Sequence, residues 1–161
     1  MLQSLLLFAW LAACAVQDVR QRQIGNRLTG GAFVLALVYL LGSGSTWLGA
    51  PAAAGGWAFA LALLFTLPGY ALGRLGGADV KLLAALALAT DSHYLLGTFI
   101  GAGLASVVWR LFAPRIWLLV NQGVRHALRN LEPHSPKKQP FAPFIGVGFV
   151  LAWVWIQLGV A

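Results

Sequence analysis

Apolar stretches follow one another along almost the whole chain, and the charged residues are confined to the short segments between them. A single soluble domain cannot hide that much apolar surface, whereas a bilayer removes the need to. With 60% hydrophobic and 9% charged residues in 161, a soluble fold would leave a large apolar area in water. The pattern predicts an all-α polytopic membrane protein, with residues 1–161 forming one membrane-embedded domain.

The stretches place about six transmembrane helices, near 2–17, 28–41, 55–72, 79–90, 95–112 and 144–160. The fourth is short, since twelve helical residues cover only about 18 Å of a core about 30 Å thick. Such a segment can still cross where its end opens into a protein-lined cavity. Between the fifth and last spans, 113–140 is a basic, polar loop. Within it Trp117, Val120, Val124, Leu128 and Leu131 recur at steps of three and four, which predicts an amphipathic helix lying in the interface. Pro133, Pro136 and Pro140 then break it. His126 and His134 read as solvated loop histidines. Leu11-Ala12-Ala13-Cys14 looks like a lipoprotein processing box, but no Lys or Arg precedes it, so the first stretch is read as a retained helix.

Charge tests the topology. Eleven Lys and Arg stand against four acids. If the amino terminus faces out, every basic residue falls at the cytoplasmic side, in the 18–27, 73–78 and 113–140 loops or at inner helix ends. The basic balance thus reports orientation in the bilayer rather than nucleic-acid binding. A single cysteine, Cys14, excludes an internal disulfide, and His/Cys spacing suggests no metal site.

The four acids are informative because they are so few. Asp18 closes the first stretch and Asp79 opens the fourth. Two spans separate them, so both belong to the same membrane face, where carboxylates are costly and usually functional. Two converging carboxylates cannot both ionise at about 3 Å, so they hold one proton between them, one activating water and the other polarising a carbonyl. Other roles stay open from placement alone: Asp18 as a solvated loop acid paired with Arg20 or Arg22, and Asp79 as a helix N-cap. Asp91, toward the opposite face, and Glu132 read as solvated. Gly76 and Gly77 before Asp79 offer positive φ and close backbone approach, as a turn admitting a substrate strand requires.

Three blocks carry a resemblance. Gly76-Gly77-Ala78-Asp79-Val80-Lys81-Leu82-Leu83-Ala84-Ala85 resembles the GxGD signature of membrane aspartyl proteases, in the version of the type IV prepilin peptidases. Asp18-Val19-Arg20-Gln21-Arg22-Gln23-Ile24-Gly25-Asn26 resembles that family's first aspartate block, and Pro140-Phe141-Ala142-Pro143-Phe144 the element opening its last span. The chain departs at three places: Ala78 replaces the third signature glycine, Gly25 the proline after Ile24, and Ala142 a glycine in the last block. None removes an aspartate.

The resemblance implies an endopeptidase, with Asp18 and Asp79 as the catalytic pair and no cofactor. It implies cleavage of the short basic leader from type IV prepilins or pseudopilins, at the cytoplasmic face of the bacterial inner membrane. Gly76, Gly77, Ala78, Lys81 and Asn26 are the implied supporting or substrate-binding residues. Larger members also N-methylate the product through an additional amino-terminal region. This chain resembles the short, peptidase-only kind that serves Flp-type pili. The alternatives are a small ion or solute transporter subunit, against which the acids' single face argues, and an inactive scaffold of a pilus or secretion machine, against which both aspartates argue. The substrate pilin and the oligomeric state have no signature in the chain.

Overall fold

The structure, a computed structural model, describes residues 2–128, 131–132 and 139–159. These form seven helices: α1 Leu2–Gln21, α2 Asn26–Ser43, α3 Ala52–Ala71, α4 Gly77–Ala89, α5 Ser92–Leu119, α6 Gln122–Ala127 and α7 Ala142–Gln157. The expected all-α class is what the chain adopts. Four helices, α1, α2, α3 and α5, are long and apolar enough to cross a membrane, where six were expected. The shortfall lies in α7, with 16 residues, and α4, with 13.

Packing explains the short fourth segment. Every residue from Leu82 to Thr90 is buried, enclosed mainly by α2 and α3 with α5 beside them. A helix apolar on all sides can be enclosed whole in such a sleeve. Its buried hydroxyls make no demand on neighbours: Thr90 Oγ1 donates to the Leu86 carbonyl at 2.8 Å, as Thr66 does to Ala62 at 2.6 Å in α3 and Thr98 to Tyr94 at 2.6 Å in α5. Satisfying polar groups within the helix is what a lipid environment requires.

The second group of helices is α1, α5 and α7. α7 lies hard against α5 through small residues, with no room for a side chain where Gly101 meets Gly148. Close approach through glycine is the usual glue where no hydrophobic effect drives helices together. On its other side α7 meets α1 through Phe8, whose ring stands 5.2 Å from Phe149 and 5.6 Å from Trp153. Indole N–H groups tie α1 to its surroundings: Trp10 donates to the Leu28 carbonyl at 3.1 Å and Trp47 to that of Gln3 at 3.1 Å.

Local chemistry sets the helix ends. Gly44 ends α2 in the left-handed region at φ 69°. Asp91, expected to be solvated, is the N-cap of α5 and accepts the His93 and Tyr94 N–H groups at 2.8 and 3.0 Å. Glu132 and His126 are exposed, as expected.

The predicted interfacial helix is corrected. α5 runs past Pro114 to Leu119, so Trp117 belongs to it, and the chain turns extended at Val120 (φ −81°, ψ 134°) before the six-residue α6. Arg125 folds back on the break, its Nε donating to the Val120 carbonyl at 2.9 Å and Nη2 to that of Leu118 at 3.2 Å. Those bonds satisfy carbonyls at the end of α5 and stabilise two helices rather than one. Pro133, Pro136 and His134, read above as part of this loop, lie outside the described residues, as do Arg129, Lys137 and Lys138.

Candidate active site

α1 outlasts its apolar stretch by one turn. It therefore carries Asp18 as a helical residue, and ends only at Arg22, whose backbone is left-handed (φ 54°) and whose N–H donates to the Asp18 carbonyl at 2.7 Å. Asp18 is 6% exposed, so the solvated-loop reading does not hold. Its carboxylate oxygen Oδ2 accepts the N–H of Ala142, 124 residues away, at 3.0 Å.

Asp79 sits in the first turn of α4 at 8% exposure. The helix-start reading is correct in kind and shifted in register. Gly76 occupies the N-cap position, and Asp79, three residues on, reaches back with Oδ2 to accept its N–H at 3.0 Å. An anion in the first turn also meets the positive end of the helix dipole.

Asp18 and Asp79 line the same cavity, about 590 Å³ in volume. This is within the usual range for a ligand-binding cleft. Loop residues between α1 and α2 form one wall, Gly76, Gly77 and Ala78 another, and Gln139, Pro140 and Phe141 a third. The bundle thus gathers all three sequence blocks at one end.

The supporting residues are brought together too. Asn26 lines the cavity, and Lys81 lies just outside it, donating from Nζ to Asn26 Oδ1 at 2.9 Å. Lys81 and Asn26 therefore act on one contact, which ties the start of α2 to the amino-terminal half of α4. Gly76 is not in the left-handed region expected of it, since its φ is −83°. Its need for glycine is steric: a Cβ there would stand 3.1 Å from Asp79 Oδ2, crowding the oxygen that its own N–H binds. Ala78 lies within α4, where alanine is at home, so the missing third glycine costs nothing. Gly25 donates its N–H to Gln17 Oε1 at 3.0 Å, a bond that proline could not make.

Sequence reasoning missed two holders of the site. Ala142 supplies a backbone N–H, which has no residue signature, although the Pro140–Phe144 block marked its neighbourhood. Gln17 braces the α1–α2 loop and had no signal in the sequence.

A multi-pass helical protein with two buried carboxylates lining one cavity at the end of the bundle belongs among membrane proteins built for chemistry at the bilayer. The particular family follows from comparison: the type IV leader peptidase family model matches residues 5–111, about two thirds of the chain, and the chain belongs to that family. The matched region holds Asp18 and Asp79 and stops short of Ala142. Membership makes the protein a peptidase, a hydrolase of leader-peptidase type. Searches of curated proteins and of solved structures returned no match.

Proposed function

We propose that this chain is an aspartic endopeptidase that removes the leader from Flp-type prepilins or pseudopilins at the cytoplasmic face of the bacterial inner membrane. The observation that carries the reading is the pair of buried aspartates lining one cavity, each with one carboxylate oxygen held by a backbone N–H. The positive-inside asymmetry supports an outward amino terminus and a cytoplasmic site.

The chemistry follows from the pair. One aspartate is ionised and takes a proton from a water molecule as the water oxygen bonds to the scissile carbonyl carbon. The other is protonated and gives its proton to the carbonyl oxygen, yielding a neutral gem-diol. Collapse breaks the C–N bond, with the amide nitrogen accepting the proton that the first aspartate acquired and the second aspartate recovering its own. The two carboxyls titrate as a unit, so neither role belongs to one residue. Lys81 and Asn26 hold the α2 start against α4, and with it the loop between the aspartates.

Leader cleavage tests the proposal. Asp18→Asn and Asp79→Asn should each abolish processing of a co-expressed prepilin, read as the mass of the product, with membrane levels of the protein unchanged. Processing retained by either variant would end the paired-acid mechanism.

A further inference from the structure

An apolar groove of about 560 Å³ runs between α1 and α2 with α4 as its floor. Leu6 and Trp10 stand on one wall, Leu35 on the other, and Ala85 and Ala89 lie beneath. We propose that this groove seats the apolar transmembrane helix of the substrate, so that the chain engages the span itself and not only the leader. The proposal rests on the leader-peptidase reading above.

Three observations favour a helix in this place. First, the groove is built from both aspartate-bearing helices, with α1 as wall and α4 as floor. At 1.5 Å per residue, Ala85 lies about 9 Å along α4 from Asp79, and Trp10 about 12 Å along α1 from Asp18. At about 3.3 Å per extended residue, three or four residues of substrate span that gap. Second, the wall residue nearest the catalytic cavity is tied to a residue close to that cavity. The Trp10 indole donates to the Leu28 carbonyl at 3.1 Å, and Leu28 stands two residues beyond Asn26, which lines that cavity. Third, the floor is alanine. Small side chains let a helix backbone come close, and in lipid such close packing is what joins helices. A second apolar groove, between α5 and α7 at Gly97, Ile100 and Leu151, has no wall on either aspartate helix.

Photocrosslinking decides the matter. p-Benzoylphenylalanine is placed at Leu35, 72% exposed in the first groove, or at Leu151, 50% exposed in the second, so neither label disturbs the core. Each protein, carrying Asp79→Asn to keep the substrate uncut, is co-expressed with a full-length Flp-type prepilin and irradiated in membranes. The unlabelled wild-type chain is assayed in parallel for cleavage. The expected result is at least tenfold more prepilin adduct from Leu35 than from Leu151, with the crosslink mapping to the apolar helix. Equal yields, a larger yield from Leu151, or adducts with lipid alone at Leu35, while wild type still cleaves, would overturn the groove and leave the peptidase reading standing. Absence of cleavage by wild type would remove the peptidase reading and the groove's role with it.

Discussion

Asp79 both caps α4 and lines the candidate active site, and replacing it by Asn or by Ala separates the two jobs. Asn is isosteric and keeps a side-chain oxygen for the Gly76 N–H, now 3.0 Å from Oδ2. It loses a charge at a helix amino terminus, about 0.3–1 kcal/mol, and is relieved of burying that charge. The fold of Asp79→Asn should therefore match wild type within about 1 kcal/mol. Cleavage should not survive: a positioned acid or base contributes about 10²–10⁴ in rate, and the pair needs both members. A fall of about 10³-fold, or about 4 kcal/mol in the barrier, is expected. Asp79→Ala should be equally inactive and in addition lose the cap, about 1 kcal/mol of stability. Product mass measures the first quantity, and tryptophan-fluorescence melting in detergent the second. If Asp79 only capped the helix, the Asn variant would cleave nearly normally. Activity within tenfold of wild type in that variant would refute the reasoning.

Three further outcomes are expected. Gly148→Ala would put a Cβ onto the Thr98 carbonyl oxygen and 2.6 Å from the Ala102 nitrogen, both backbone, so α5 and α7 must part. Overpacking of this kind costs about 1–3 kcal/mol or more, whereas Gly103→Ala, with nothing within 4 Å, should melt like wild type. A double-mutant cycle of Lys81→Met and Asn26→Ala should give a coupling of about 0.5–1 kcal/mol in detergent melts, and zero coupling would break the proposed tie between α2 and α4. Cleavage should persist in EDTA, because the cavity residues described offer two carboxylates and no His or Cys; strong inhibition would point to a metal.

The fold class and all three sequence blocks were legible because hydropathy and residue identity encode them. Helix ends were not. The sequence reading stopped α1 at 17 and α5 at 112, where apolarity fails, but the backbone continues to Gln21 and Leu119. Leaving the hydrocarbon does not unwind a helix, and Pro114 near the polar end of α5 does not break it. Asp18 was therefore expected at a loop edge and is found on a helix. The break at Val120 was hidden because Trp117, Val120, Val124 and Leu128 keep helical spacing through it, while the interaction that stabilises the break is a guanidinium on two carbonyls. Burial of α4 left a better trace: twelve residues were too few to span, and the same run had no polar face to give to lipid headgroups or water.

Capping and catalysis at Asp79 compete as explanations only if a carboxylate can do one thing. It has two oxygens, and a cap engages one. The same economy holds at Asp18, through different chemistry. At the start of α7, Pro143 has no N–H, and the Phe144 and Ile145 N–H groups go to the Phe141 carbonyl at 3.1 and 3.2 Å. The Ala142 N–H is left over, and Asp18 takes it. Helix starts always carry such spare donors. Placing two of them at one cavity gives each acid a backbone donor for one carboxylate oxygen. The Pro140–Phe144 block thus matters to the site through its backbone: Pro143 offers no N–H, and Ala142, at the helix start, supplies the donor that Asp18 accepts.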